Sequence, residues 1–182
     1  MNVETSKIFS EILIFTPTKF NDDRGYFFES YNKIISDNLG VEFVQENHSV
    51  SKKNVLRGLH YQFDKPQGKL CRCNRGTVID YFVDIRKDSP TFGKYDSVIL
   101  SDINHKLVWI PPGFAHGFFS INDDTHFLYK CTSHWNKDGE GSINPFDLDI
   151  DIYFPNSKSE IILSEKDLSA QSLSNYLLDP KF

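Results

Sequence analysis

Cysteine is scarce: the three present, Cys71, Cys73 and Cys131, are an odd number at spacings that make no disulfide framework. Cys71 and Cys73 would share one strand face, where a free thiol acts as small apolar filler. A zinc site would need more ligands at tighter spacing, so core thiols in a reducing compartment are expected. No stretch approaches the ~20 apolar residues of a membrane span. The N-terminus mixes Glu4, Lys7 and Glu11 with short apolar runs and lacks the basic start and apolar block of a signal peptide. These absences predict a cytoplasmic protein with no membrane partner. Basic charge is not in excess either: 20 Lys and Arg stand against 25 Asp and Glu, a net −5, so nucleic acid is not an expected partner. A pocket can still be locally positive, which leaves room for an anionic small ligand. The chain has no internal repeat, low-complexity tract or linker, and 182 residues are enough to bury a core, so residues 1–182 read as one domain.

Aromatic residues are plentiful, with 16 Phe within an aromatic share of 14%, which suits strands. Ile8–Phe15 reads as a first strand and Tyr26–Tyr31 as a short aromatic one, with turn chemistry at Phe20–Gly25 between them. Asn32–Leu39 reads as a short helix ended by Gly40. Short strands then follow at Val41–Glu46, Val55–Gln62, Lys69–Asn74, Thr77–Ile85, Tyr95–Leu100, Leu107–Ile110, Phe118–Ile121 and Phe127–Thr132. Turn residues separate them, as in Arg75-Gly76 and Pro111-Pro112-Gly113. Many short strands with no long helix between them predict an all-β sandwich or barrel. The tail shows a helical pattern from Ser164.

The stretch Asn54–Gln62 holds a cation, a glycine and an imidazole on one strand. Period-two alternation sends Arg57 and His60 to opposite faces, unless Gly58 marks a bulge that turns both into one cavity. Lys69 shares a face with Cys71 and Cys73; either that face points inward, or Leu70 and Arg72 do. An inward lysine requires solvent-filled space or an anion. Tyr129 alternates with Phe127 and Cys131 and is either a core tyrosine or a cavity group. His116 follows the Pro111-Pro112-Gly113 turn and is either a rim or a buried histidine. Asp167 stands where a capping box beginning at Ser164 would end. His60 and His116 sit as in a metal-binding jelly roll, but Gln62 occupies the place of a further histidine and no glutamate follows closely, so no metal site is expected. Histidine, lysine, tyrosine and carboxylate without a metal make a proton-transfer set: a base, an oxyanion stabiliser and an acid.

Taken together, several blocks carry a resemblance. They are Phe20–Phe28 with Glu29, Gln45–Ser49, Val55–Gln62, Gln67–Leu70, Val83–Gly93, Trp109–Phe118, Phe127–Lys130 and Leu163–Asp167. In this order the chain resembles, over nearly its whole length, the dTDP-4-dehydrorhamnose 3,5-epimerase family. The resemblance implies a cupin-type jelly roll (double-stranded β-helix) with a short N-terminal helix and a helical C-terminal tail. It implies a homodimer acting without cofactor on a dTDP-linked 4-keto-6-deoxyhexose, inverting C3 and C5 on the way to L-rhamnose for surface polysaccharide. By the family's pattern His60 is the base, Asp167 the carboxylate that orients it, Lys69 the enolate stabiliser and Tyr129 the acid. Arg24, Glu29, Gln45, Glu46, Asn47, Arg57, His116, Glu140 and Lys166 match substrate-binding positions, with Arg24 and Glu29 reaching the neighbouring subunit's site. The segment Ser142–Pro155 departs from the family's usual form, with Phe154 in place of a tryptophan, and the tail after Asp167 lacks the usual proline. Other readings are a single-centre epimerase on a related nucleotide sugar, a metal-dependent cupin oxygenase, and an idle sugar-nucleotide-binding module.

Overall fold

A computed structural model describes residues Met1–Phe182. The elements are β1 (Asn2–Thr5), β2 (Leu13–Thr16), β3 (Phe20–Asp22), β4 (Gly25–Phe27), α1 (Lys33–Leu39), β5 (Gln45–Ser51), β6 (Leu56–Gln62), β7 (Lys69–Arg75), β8 (Thr77–Asp84), β9 (Tyr95–Ser101), β10 (Leu107–Ile110), β11 (Phe114–Ser120), β12 (Thr125–Cys131), β13 (Glu140–Ser142), α2 (Glu165–Leu168) and α3 (Leu173–Tyr176). Two antiparallel sheets face one another. One has the order β1-β2-β10-β7-β12-β5, the other β13-β6-β11-β8-β9, and β3-β4 is a separate hairpin. This is the all-β jelly roll expected, with a helix near the N-terminus and a helical tail.

Neighbouring strands are distant in sequence, so each sheet forms only as the chain wraps back on itself. Phe82, Val108, Phe114 and Phe127 fill the space between the sheets. Leu56, Tyr81, Ala115 and Phe119 lie on the far side of the five-stranded sheet and bury the C-terminal tail, including Leu173 and Tyr176. Ile35 of α1 packs with Leu70, Leu107 and Trp109 on the far side of the six-stranded sheet. Burial of apolar surface of this kind contributes roughly 25 cal/mol per Å².

The structure corrects several strand limits. Ile8–Phe15 is not one strand: the Ser6 hydroxyl accepts from the backbone N–H of Ile8 (3.2 Å) and Phe9 (3.3 Å) and donates to Asp96 (2.5 Å), which folds the chain into a turn before β2. Such side-chain bonds compete with strand pairing, and Phe9 and Ile12 enter the core from that turn. Tyr26–Tyr31 is extended only as far as Phe27, because its partner strand begins at Phe20. Val41 is held by the end of α1, its N–H donating to the Ser36 carbonyl with Gly40 left-handed at φ +65. The next strand therefore begins at Gln45 rather than Val41 and runs on to Ser51, where β12 supplies partners. β11 starts at Phe114, earlier than expected, since it pairs with β8 from Asp84 onward. The tail pattern from Ser164 divides into α2 and α3, each of one turn and each capped by a serine, Ser164 or Ser172.

Candidate active site

A cavity of about 480 Å³ opens between the two sheets. Arg57 and His60 of β6 and His116 of β11 come from the five-stranded sheet. Gln45, Asn47 and Ser49 of β5, Lys69 of β7 and Tyr129 of β12 come from the six-stranded sheet that faces it. Glu140, Ser164, Lys166 and Asp167 close one side.

The bulge at Gly58 is present. His116 pairs with His60 and Phe118 with Arg57, so two steps along β11 match three along β6. The extra residue brings Arg57 and His60 to the same cavity. Gly58 has φ +118, and a Cβ built on it would lie 2.6 Å from both Gly117 Cα and the His116 carbonyl oxygen. No larger residue fits between the strands there.

His60 Nε2 lies 2.6 Å from Asp167 Oδ1, with the His60 side chain 29% exposed and that of Asp167 only 4%. The Ser164 hydroxyl caps α2 by accepting from the Asp167 backbone N–H at 3.2 Å. Cap and pair therefore use different atoms: the backbone satisfies the helix end, and the carboxylate turns to the imidazole. Burial by itself pushes the Asp167 carboxyl up. The hydrogen bond and charge of His60, with bonds from Ser164 and the Gly58 backbone, outweigh it and hold the carboxyl below its ordinary value.

Lys69 reaches the cavity on the same strand face as buried Cys71, which approaches the His116 ring at 3.9 Å, so this face points inward. Leu70 packs the other way, under α1. Burial, reinforced by Cys131 and Cys71, raises the Tyr129 phenol to about 12, so its proton is retained at neutral pH. Arg57 is fixed to the wall by bonds to Ser51 Oγ (3.0 Å) and the Val50 carbonyl (3.1 Å). Gln45 donates to Asn47 Oδ1 (2.9 Å) and accepts from the Trp135 N–H (3.0 Å). Lys166 forms an ion pair with Glu140 across the cavity edge.

Three expected residues lie elsewhere in this chain. Arg24 stands at the tip of the β3-β4 hairpin, its side chain 90% exposed and paired with Asp22 at 2.7 Å. Glu29 accepts from Asn32 Nδ2 at 2.8 Å, and neither residue lines the cavity. Alternation along β5 turns Gln45 and Asn47 inward and Glu46 outward, where it pairs with Lys130 at 3.0 Å.

Sequence reasoning missed three features. Asp80 lies fully buried on β8, both carboxylate oxygens 3.0 Å from His116 Nε2. Its signal was a lone carboxylate inside the apolar run Val78–Val83. Burial pushes the Asp80 carboxyl up and the His116 imidazole down, so the low-dielectric setting favours the neutral form of each. Trp135 stands half exposed at the rim. Gln62 is buried and exchanges two 2.8 Å bonds with the Asn136 backbone, a tie between segments. Asp84, at the end of β8, is engaged with Arg86, Ser89 and Thr91.

Similarity to known proteins agrees with this geometry. The family profile for dTDP-4-dehydrorhamnose 3,5-epimerase matches residues 6–175. The dTDP-4-dehydrorhamnose 3,5-epimerase of Salmonella typhimurium is 50% identical over 172 residues, covering 92% of this chain and 93% of its own. The structure of dTDP-6-deoxy-D-glucose-3,5-epimerase from Legionella pneumophila, in complex with dTDP-4-keto-L-rhamnose, superposes with a TM-score of 0.90 at 43% identity, covering 95% and 93% of the two chains. The Mycobacterium tuberculosis epimerase structure gives a TM-score of 0.92 at 33% identity, over 100% of this chain and 93% of that one.

Proposed function

This chain belongs to the dTDP-4-dehydrorhamnose 3,5-epimerase family, and from that premise we propose which of its residues carry the reaction. The enzyme is an isomerase that inverts C3 and C5 of dTDP-4-dehydro-6-deoxy-D-glucose to give dTDP-4-dehydro-L-rhamnose. Both carbons flank the C4 ketone, so the same carbonyl acidifies both C–H bonds. One base and one enolate-stabilising cation can therefore serve both centres. His60 takes the proton, and Asp167 holds the imidazole in the tautomer that accepts it and balances the imidazolium that forms. The Lys69 ammonium stabilises the enolate oxygen. Inversion requires a proton from the opposite face, and Tyr129 delivers it. These proton transfers move no electrons to or from a redox group, and the reading includes no cofactor.

The reading is supported above all by one arrangement: the His60–Asp167 pair lies on one wall and Tyr129 on the facing wall, with Lys69 between the same two sheets. Arg57, Gln45, Asn47, Glu140, Lys166 and His116 are assigned to the substrate, the cations answering its diphosphate. Arg24 and Glu29 are assigned to the site of a second copy in a homodimer. The exposed hairpin that carries Arg24, with Phe20, Tyr26 and Phe27 uncovered, supports that assignment. Mixing an Arg24→Ala chain with a His60→Ala chain should then restore activity beyond that of either alone. Turnover of dTDP-4-keto-6-deoxyglucose in heavy water, followed by NMR, should place deuterium at both C3 and C5 of an inverted product. Deuterium at one centre alone would mean a single-centre epimerase, and none at either would refute the proton-transfer reading.

A further inference from the structure

Below the cavity floor, three strands bring together ligating atoms that the proton transfers themselves do not use. His116 Nε2 lies 3.0 Å from each Asp80 oxygen and 3.9 Å from Cys71 Sγ. One ligand atom from each residue falls within 4.8 Å of the others, and all three residues are buried. Around a tetrahedral ion with N and O at about 2.0–2.2 Å and S at about 2.3 Å, nitrogen and oxygen would be roughly 3.4 Å apart and nitrogen and sulfur roughly 3.6 Å. The two separations from His116 Nε2 differ from these by a few tenths of an ångström, within reach of small side-chain rotations. A thiolate and a carboxylate match the charge of a divalent cation, and thiolate with imidazole selects zinc-like ions over magnesium or calcium. His116 also lines the cavity, which opens a route for an ion from solvent.

We propose that Cys71, Asp80 and His116 form a binding site for a thiophilic divalent cation of the zinc class, and that its occupancy inhibits the enzyme. Binding displaces the Cys71 thiol proton and the proton that Asp80 holds, both passing to solvent, and leaves a thiolate and a carboxylate on the ion. His116 stays neutral, its proton on Nδ1 and Nε2 free for the ion. The ion then takes the Nε2 of His116, a residue assigned to the substrate, and so removes that imidazole from substrate binding. His60, Asp167 and Tyr129 do their work without it, so the ion acts as a brake and not as a cofactor; this inhibitory half rests on the epimerase reading.

Cobalt(II) and zinc(II) added to the chelator-treated enzyme provide the test. Cobalt should produce the thiolate charge-transfer absorption, saturating at one ion per chain, and zinc should abolish that absorption. Zinc should lower turnover about tenfold or more, with a chelator restoring it. Cys71→Ala, and Cys71→Val where the smaller residue weakens the core, should keep the metal-free turnover while losing both the absorption and the zinc sensitivity. No absorption in the parent, or absorption or equal zinc inhibition persisting in the Cys71 variants, overturns the proposal. The absorption needs no substrate, so it reports on the site even if the epimerase reading were to fail.

Discussion

Two histidine–aspartate pairs stand side by side on the five-stranded sheet, for His60 and His116 are direct partners across β6 and β11. Their groups are the same, yet their surroundings differ. The His60 side chain is 29% exposed to the cavity, whereas that of His116 is 7% exposed with Asp80 at 0%. Asp167 arrives from the tail and keeps its carboxyl below the ordinary range through the bonds it accepts. Asp80 sits in the middle of β8, where burial raises it and lowers His116. The first pair keeps an ionised carboxylate beside the cavity, and the second favours neutral partners. Solvent access and the element that delivers the carboxylate set the two imidazoles apart.

The largest effect expected is from His60→Ala, which should lower both hydrogen exchange and inversion by ~10³-fold or more. His116→Ala should leave hydrogen exchange measurable; the reverse pattern in heavy water would exchange the roles of the two pairs. Asp167→Asn comes next, at roughly 10²-fold in turnover. Its amide keeps the backbone cap with Ser164, so unchanged thermal unfolding together with that loss would separate orientation of His60 from helix capping. Tyr129→Phe should slow formation of the inverted product by about 10²-fold while at least one of the C3 and C5 hydrogens still exchanges through His60. Inversion at the parent rate would identify another acid. Asp80→Asn should change turnover less than Asp167→Asn, and an equal loss would erase the distinction between the pairs.

The smallest effect expected is on stability, where the two carboxylates have opposite signs. Asp167 is lowered from 3.8 in the folded state, so its contribution is present above that value and is lost as pH falls through the folded pKa. Asp80 is raised from 3.8, so the folded state holds its proton more tightly and stability declines as pH rises from that value through the folded pKa. Denaturant unfolding at a series of acid pH values should show Asp167→Asn losing less stability on acidification than the parent. Asp80→Asn should flatten the decline that the parent shows as pH rises above 3.8. Identical slopes in all three proteins would remove the electrostatic contrast.

Much of the frame was readable from local pattern. Period-two alternation put Lys69 with Cys71 on one face, and Gly58 signalled the bulge that brings Arg57 and His60 together. Leu107–Ile110 agrees to the residue, as do Asn32 and Gly40 flanking α1. The strand expected over Ile8–Phe15 failed because the Ser6 hydroxyl organises a turn by bonding to Asp96, 90 residues away. The early strand at Val41 failed because helix capping claimed its backbone first. Glu46 matched a substrate-binding position in its block, yet on its strand it faces out. Asp80 went unnoticed, since a carboxylate in an apolar strand has no meaning until the histidine opposite it is known.

The sequence by itself determined that this chain would be a β-rich domain with free core thiols, while only its family resemblance singled out His60, Lys69, Tyr129 and Asp167 as candidates for proton transfer. The first conclusion depends on residue type and on periods of two along a strand, which are local properties. Tertiary structure alone decided that His60 and Tyr129 stand on facing sheets, that Asp167 reaches His60 across 107 residues at 2.6 Å while capping its own helix, and that His116 answers to Asp80. The physical reason is that a jelly roll pairs strands distant in sequence. The distances and burial that distinguish one imidazole from another are created only when the two sheets close around the cavity.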